Sequence, residues 1–252
     1  MPSSSSPGWS TVEVAGHPCE LFEPARRNEH GYVLIYLHGV HLAKLGDNRV
    51  YTELLERHGL PLVAPRTGRS WWSDKICPDF DSELTAEQHI RRNVLPYIRE
   101  RWGVAPPRIG LLGTSMGGQG SLRFAFKYPN DFPIVAALSP AIDYQVRYDD
   151  PEDETIAAMY PSAEAVRQDT ATLHVHPLNW PRNLWFCCDP VDYRWHESAQ
   201  KLRSKLQALG IPHEVDLETS GGGHGWDYYN RLAPVAFAFL WERLERERLR
   251  VI

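Results

Sequence analysis

Strand-like runs that alternate with helical patterns constrain this chain more than any other feature. "GYVLIYLHG", "LPLVAP", "RIGLLG", "PIVAALS", "NLWFCC" and "HEVDLE" succeed one another between residues 31 and 218. Helical patterns fall at about 47–58, 85–102, 116–128 and 195–209, and a last one runs from Asp227 to the C-terminus. "TAEQ" from Thr85 has capping-box spacing, and Pro96 should kink the helix it opens. Upstream, "TVEVAG" and "PCELFEP" flank Gly16 and read as a hairpin. The sum is an α/β protein of about eight strands. Strands separated by helices need right-handed crossovers, so the sheet is mostly parallel, with helices on both faces. Ligands of such sheets bind beyond the carboxyl ends of the strands, so function is sought in the loop after each strand.

Residues 11–252 read as a single domain, with 1–10 as a disordered tail. The stretch 141–181, acidic and proline-rich, reads as an irregular, cap-like insertion. The opening "MPSSSSPGWS" has neither a basic nor an apolar signal region, and no run is long enough to span a membrane. A net charge of -5 gives no footprint for nucleic acid or an acidic membrane. Four cysteines lack C-x-x-C spacing and read as buried thiols, including the adjacent Cys187 and Cys188. A cytoplasmic setting is the expectation. Oligomeric state stays open.

The fifth strand ends in "GLLGTSMGGQG". No lysine stands where a phosphate loop needs one, and the glycines miss the dinucleotide spacing. The pattern that fits is G-x-S-x-G over Gly113–Gly117, with Ser115 on a sharp strand-to-helix turn. The residues two before and two after the serine must be small, because the chain doubles back there. "GTSMGGQGSLRFAFKYP" resembles the nucleophile segment of α/β-hydrolases, in particular the serine esterases that include S-formylglutathione hydrolases and esterase D-like proteins. The resemblance implies the α/β-hydrolase fold, a Ser-Asp-His triad and no cofactor.

A serine hydroxyl needs a base held by a third group. His224, in "SGGGHGWDYYN" after the last strand, is the candidate base. His174 and His176 show no third ligand, so no metal site is expected. For the acid, Asp189 and Asp192 compete in "CCDPVDYRW", and Asp143 is a distant third. Asp189 is preferred because it ends the strand and, with Pro190, resembles the D-P-x-V block of related esterases. Asp192 then reads as a helix cap or surface turn residue.

The backbone N–H groups of Met116 and Val40 are the expected oxyanion donors, with His41 as fallback. Trp71, Trp72 and Trp226 lie at the active end of the sheet, as candidate substrate walls or as core. The leading expectation is a serine esterase acting on a small-molecule carboxylic ester. A thioesterase or acyltransferase would use the same residues. A peptidase and a non-catalytic binding protein rank lower, and a dinucleotide-dependent oxidoreductase fails for want of a glycine fingerprint.

Overall fold

A computed structural model describes residues 7–151 and 153–250. Strands β1 (Gly8–Val14) and β2 (His17–Glu23) form the expected antiparallel hairpin. Its turn residues, Ala15 and Gly16, both take positive φ, as tight hairpin turns require. The expected tail is shorter than read from the sequence, because Gly8–Ser10 already belong to β1. Trp9 anchors this start, its ring 5.1 Å from that of Phe22 and its indole N–H donating to Thr52 Oγ1 at 2.9 Å. Of the rest of that tail, residues 1–6 lie outside the described residues.

Six more strands complete the set: β3 (Val33–Leu37), β4 (Leu62–Pro65), β5 (Ile109–Thr114), β6 (Ile134–Leu138), β7 (Asn183–Cys187) and β8 (Glu214–Asp216). The described residues form one eight-stranded sheet in the order β1-β2-β4-β3-β5-β6-β7-β8. From β4 to β8 every neighbouring pair is parallel.

Successive residues of a strand point to opposite faces, and β3 shows the result directly. Val33, Ile35 and Leu37 join one apolar cluster, while Leu34 and Tyr36 join the other. Every residue of β3 to β7 is buried. That double burial is why those runs read as nearly continuous apolar sequence.

The helices are α1 (Arg49–His58), α2 (Ala86–His89), α3 (Leu95–Trp102), α4 (Met116–Lys127), α5 (Glu154–Met159), α6 (Ala163–Arg167), α7 (His196–Ala208) and α8 (Trp226–Arg248). Thr85 caps α2 by accepting from the Gln88 amide at 3.1 Å. The distortion expected at Pro96 occurs one turn early, as a π turn over Ile90–Val94 between α2 and α3. The wider turn accommodates a residue that lacks an N–H and would press on the carbonyl four back. No helix among the described residues is long and apolar enough to cross a membrane.

Two short helices, α5 and α6, give the 141–181 segment more order than its composition suggests. It is tied to α4 by Arg123, which is 1% exposed. The guanidinium pairs with Glu87 and with Asp169, the latter at 2.7 Å. Glu87 also binds Lys127 Nζ at 2.7 Å, and Asp169 accepts from Tyr160 at 2.7 Å and His174 at 3.0 Å. Removing one member of a buried charge cluster leaves the others desolvated and unpaired. Arg123→Ala should therefore cost about 3–5 kcal/mol of stability, read as a lower urea midpoint.

Candidate active site

The chain leaves β3 toward β4 on one side of the sheet and returns through β5 on the other. In an open α/β sheet that reversal opens a crevice at the carboxyl ends. Leu37 pairs with Gly113, so the segments beginning at His38 and at Ser115 lie side by side.

Ser115 sits between β5 and α4 with φ 55° and ψ -118°, a conformation L-residues rarely adopt. A Cβ on Gly117 would lie 1.8 Å from the Leu37 carbonyl oxygen. One on Gly113 would lie 2.1 Å from the Gly117 carbonyl oxygen. Both glycines of G-x-S-x-G are therefore demanded by backbone crowding. The bend is tied down by Ser115 N–H donating to Leu138 O at 2.9 Å and Ala141 N–H donating to Ser115 O at 3.0 Å.

His224 Nε2 lies 2.8 Å from Ser115 Oγ. Its Nδ1 lies 2.7 Å from Asp192 Oδ2, not from Asp189. An ionised carboxylate only accepts, so Nδ1 carries the proton and Nε2 is free to accept from the serine.

The structure thus brings Asp192, and not the preferred Asp189, to the imidazole, and the reason is visible in the partners of Asp189. Its oxygens accept from the amides of Val191 (2.9 Å), Gly221 (2.6 Å) and Gly223 (2.8 Å), and from Ser220 Oγ (3.1 Å). Burial pushes the Asp189 carboxyl up, but these donors outweigh it and hold it below the usual range. Asp189 fastens the loop that carries His224.

Asp192 comes one turn later, its N–H bonded to Asp189 O at 2.9 Å. One oxygen takes the Arg194 and Trp195 amides at 3.3 and 3.2 Å, and the other faces the imidazole. Sequence reasoning treated a local turn role and a place beside the base candidate as alternatives, yet a carboxylate has an oxygen for each. Asp143 lies elsewhere, 3.5 Å from Lys201 Nζ.

Gly39 packs against the serine so closely that an added Cβ would lie 3.3 Å from Ser115 Cβ. The carbonyl of Gly39 accepts from Leu42 N at 3.1 Å and from His38 Nδ1 at 3.0 Å. His38 Nε2 accepts from Thr67 N at 3.2 Å, which fixes the tautomer. In a planar trans peptide the N–H opposes the C=O. Pinning the Gly39 carbonyl therefore also fixes the direction of the Val40 amide. The Met116 amide is the first of α4, among those with no acceptor within the helix.

A narrow cavity of about 80 Å³ opens over Ser115, walled by Val40, His41, Thr114, Trp226 and Tyr229 among others. No described residue of the 141–181 segment lines it. Of the three candidate tryptophans, Trp226 lines this cavity. Trp71 and Trp72 do not line it: both are fully buried core residues. Trp71 stacks on Tyr144 at 4.5 Å, and Trp72 lies over Gly120 and donates to the His38 carbonyl at 3.1 Å. Tyr229 was missed by sequence reasoning. Its only signal was its place one helical turn past the "GGHGW" loop.

A family model described as "Putative esterase" matches residues 20–240. An acetyl esterase of Caldicellulosiruptor saccharolyticus is 26% identical over 230 residues, covering 84% of this chain and 80% of the relative. The fluorophosphonate-binding serine hydrolase FphF of Staphylococcus aureus superposes with a TM-score of 0.75 at 16% identity, over 94% of this chain and 99% of that one. S-formylglutathione hydrolase FrmB of the same organism gives 0.74 at 16% identity, over 94% and 100%.

The buried His38 ring generates a pH prediction. Burial chiefly, with Arg66 nearby, lowers its pKa from 6.5 to about 4 despite the Gly39 carbonyl. The unfolded chain then binds a proton in a range where the folded one does not. The stability contribution is intact above pH 6.5 and lost as pH falls toward 4. It should amount to roughly 3 kcal/mol, and His38→Gln should flatten that part of the urea-midpoint profile relative to wild type.

Proposed function

The chain belongs to this esterase family and is a carboxylic ester hydrolase of the α/β-hydrolase fold; from that premise we propose that it works through an acyl-enzyme formed on Ser115. His224 serves as general base and acid, and Asp192 as the group that orients it. The observation that carries this reading is the unbroken chain from Ser115 Oγ through the imidazole to Asp192, with links of 2.8 and 2.7 Å.

In the acylation step Ser115 Oγ attacks the acyl carbon of a small ester while Nε2 takes the hydroxyl proton. Asp192 stabilises the imidazolium and keeps the ring in the tautomer that can accept. The tetrahedral oxyanion is held by the amides of Met116 and Val40. Support comes from the unpaired first turn of α4 and from the clamp on the Gly39 carbonyl. Collapse expels the alcohol, which leaves with the proton from His224. Water then repeats the sequence on the acyl-enzyme, and Ser115 regains its proton.

A fluorophosphonate probe and a short p-nitrophenyl ester test this reading. Wild type should label and turn over, and Ser115→Ala should do neither. Asp192→Asn should fold normally yet lose about 10⁴-fold in kcat, because the amide favours the wrong imidazole tautomer. Asp189→Asn should lose less activity and show its damage as a looser 220–224 loop in hydrogen exchange. The reverse order would return the acid to Asp189.

A further inference from the structure

We propose that Arg66 is a positioning residue for the oxyanion hole. Its guanidinium, backed by Glu20, grips the Leu42 carbonyl and, through the turn over residues 39–42, fixes the direction of the Val40 amide. The inference rests on the acyl-enzyme reading above, with Val40 as an oxyanion donor.

Arg66 directly follows β4, the strand beside β3, and its N–H donates to Pro18 O at 3.0 Å, which ties its backbone to β2. From there the side chain reaches the loop after β3. Nη2 donates to Leu42 O at 2.5 Å and Nη1 to Ala43 O at 3.4 Å. Glu20 of β2 is buried, with one oxygen 3.6 Å from Nη1. Its two oxygens also accept from the Leu45 and Gly46 amides, at 3.2 Å each. One ion pair therefore holds the backbone of Leu42, Ala43, Leu45 and Gly46.

The grip is transmitted to the site along the backbone. Leu42 takes a φ of 54°, which a leucine keeps only where its surroundings enforce it. Its N–H donates to Gly39 O at 3.1 Å and closes a four-residue turn over 39–42. The Gly39 carbonyl and the Val40 N–H belong to one planar peptide and point opposite ways. Holding Leu42 from outside thus limits the swing of the Val40 amide. His38 clamps the Gly39 carbonyl from the strand side, and Arg66 clamps the turn from the far side. His41 and Ala43 of the same loop line the cavity over Ser115. A donor held in place before charge appears on the acyl oxygen needs no reorganisation when it does. Arginine suits this task because its planar fork meets two adjacent carbonyls, where a lysine offers a single point of charge.

Arg66→Met keeps the aliphatic stem and removes the fork. Hydrolysis of p-nitrophenyl acetate, inhibition by an alkyl trifluoromethyl ketone and thermal unfolding are measured together. Ser115 Oγ adds to the ketone to give a hemiketal whose oxyanion sits in the hole, so ketone affinity reports the donors apart from any leaving group. Complete loss of one donor costs about 10²–10³ in rate, and a loosened one should cost roughly 10-fold in kcat. KM should stay within about twofold, and ketone affinity should fall with kcat. Arg66→Lys, which keeps the charge beside Glu20, should show smaller parallel falls. Wild-type kcat and ketone affinity in Arg66→Met overturn the proposal. So does a fall in kcat without loss of ketone affinity, or a change confined to KM or Tm. Should Arg66→Met fail to fold, Arg66→Lys decides: parallel falls uphold the proposal, and wild-type values overturn it. The acyl-enzyme reading fails separately, and takes this inference with it, if wild type neither hydrolyses the ester nor binds the ketone, or if Ser115→Ala keeps activity.

Discussion

The crossing of two backbones, at the end of β3 and in the turn after β5, controls the rest of this molecule. The Leu37 carbonyl stands where any side chain at 117 would begin, and the Gly117 carbonyl stands where any side chain at 113 would begin. With both positions empty, the turn closes tightly enough to hold Ser115 at positive φ. A strained non-glycine residue of this kind costs about 1–3 kcal/mol and survives only where its surroundings leave no alternative. Here Leu138, Ala141 and the first turn of α4 remove the alternatives. The same crossing puts Gly39 against Ser115, so the loop after β3 and the start of α4 face one small volume from two sides.

Around that volume, buried polar groups divide the labour of holding the loops. Asp189 gathers four donors, most of them from the glycine-rich loop, and so fixes where His224 starts. Asp192 holds the turn just ahead of α7 with one oxygen and the imidazole with the other. His38, clamped between Thr67 and Gly39, does for the β3 loop what Asp189 does for the histidine loop. Each is fully or nearly buried, so its hydrogen bonds have little competition from water and its geometry is rigid.

The aromatic residues obey the same logic from the other side. Trp71 and Trp72, read from their position as candidate walls, turn inward through positive φ and fill the space left by Gly120 and the insertion. Trp226 and Tyr229 reach the cavity instead, because α8 begins directly beside His224 and presents its first turn to Ser115. The insertion is fastened to α4 through Arg123 and stays off the cavity wall. The walls of the site therefore come from the segments after β3 and β5, the loop carrying His224 and the first turn of α8.

Much of this was legible in the chain itself. The alternation of strand and helix, the hairpin, and the parallel sheet come from local periodicity, which depends only on neighbours in sequence. Gly113, Ser115 and Gly117 were legible for the same reason, since the demand for small residues acts within five positions. His224 was found from its place after the last strand. The chain could not decide between two aspartates three residues apart. That choice depends on the path of a tight turn and on which carboxylate the 220–223 amides reach first. It could not tell an inward from an outward tryptophan, because the backbone sign at 71 and 72 is set by the side chains packed beneath. Nor could it place Tyr229 on the cavity wall beside Ser115, because the two meet from elements more than a hundred residues apart. Such facts belong to through-space packing, and only the folded structure holds them.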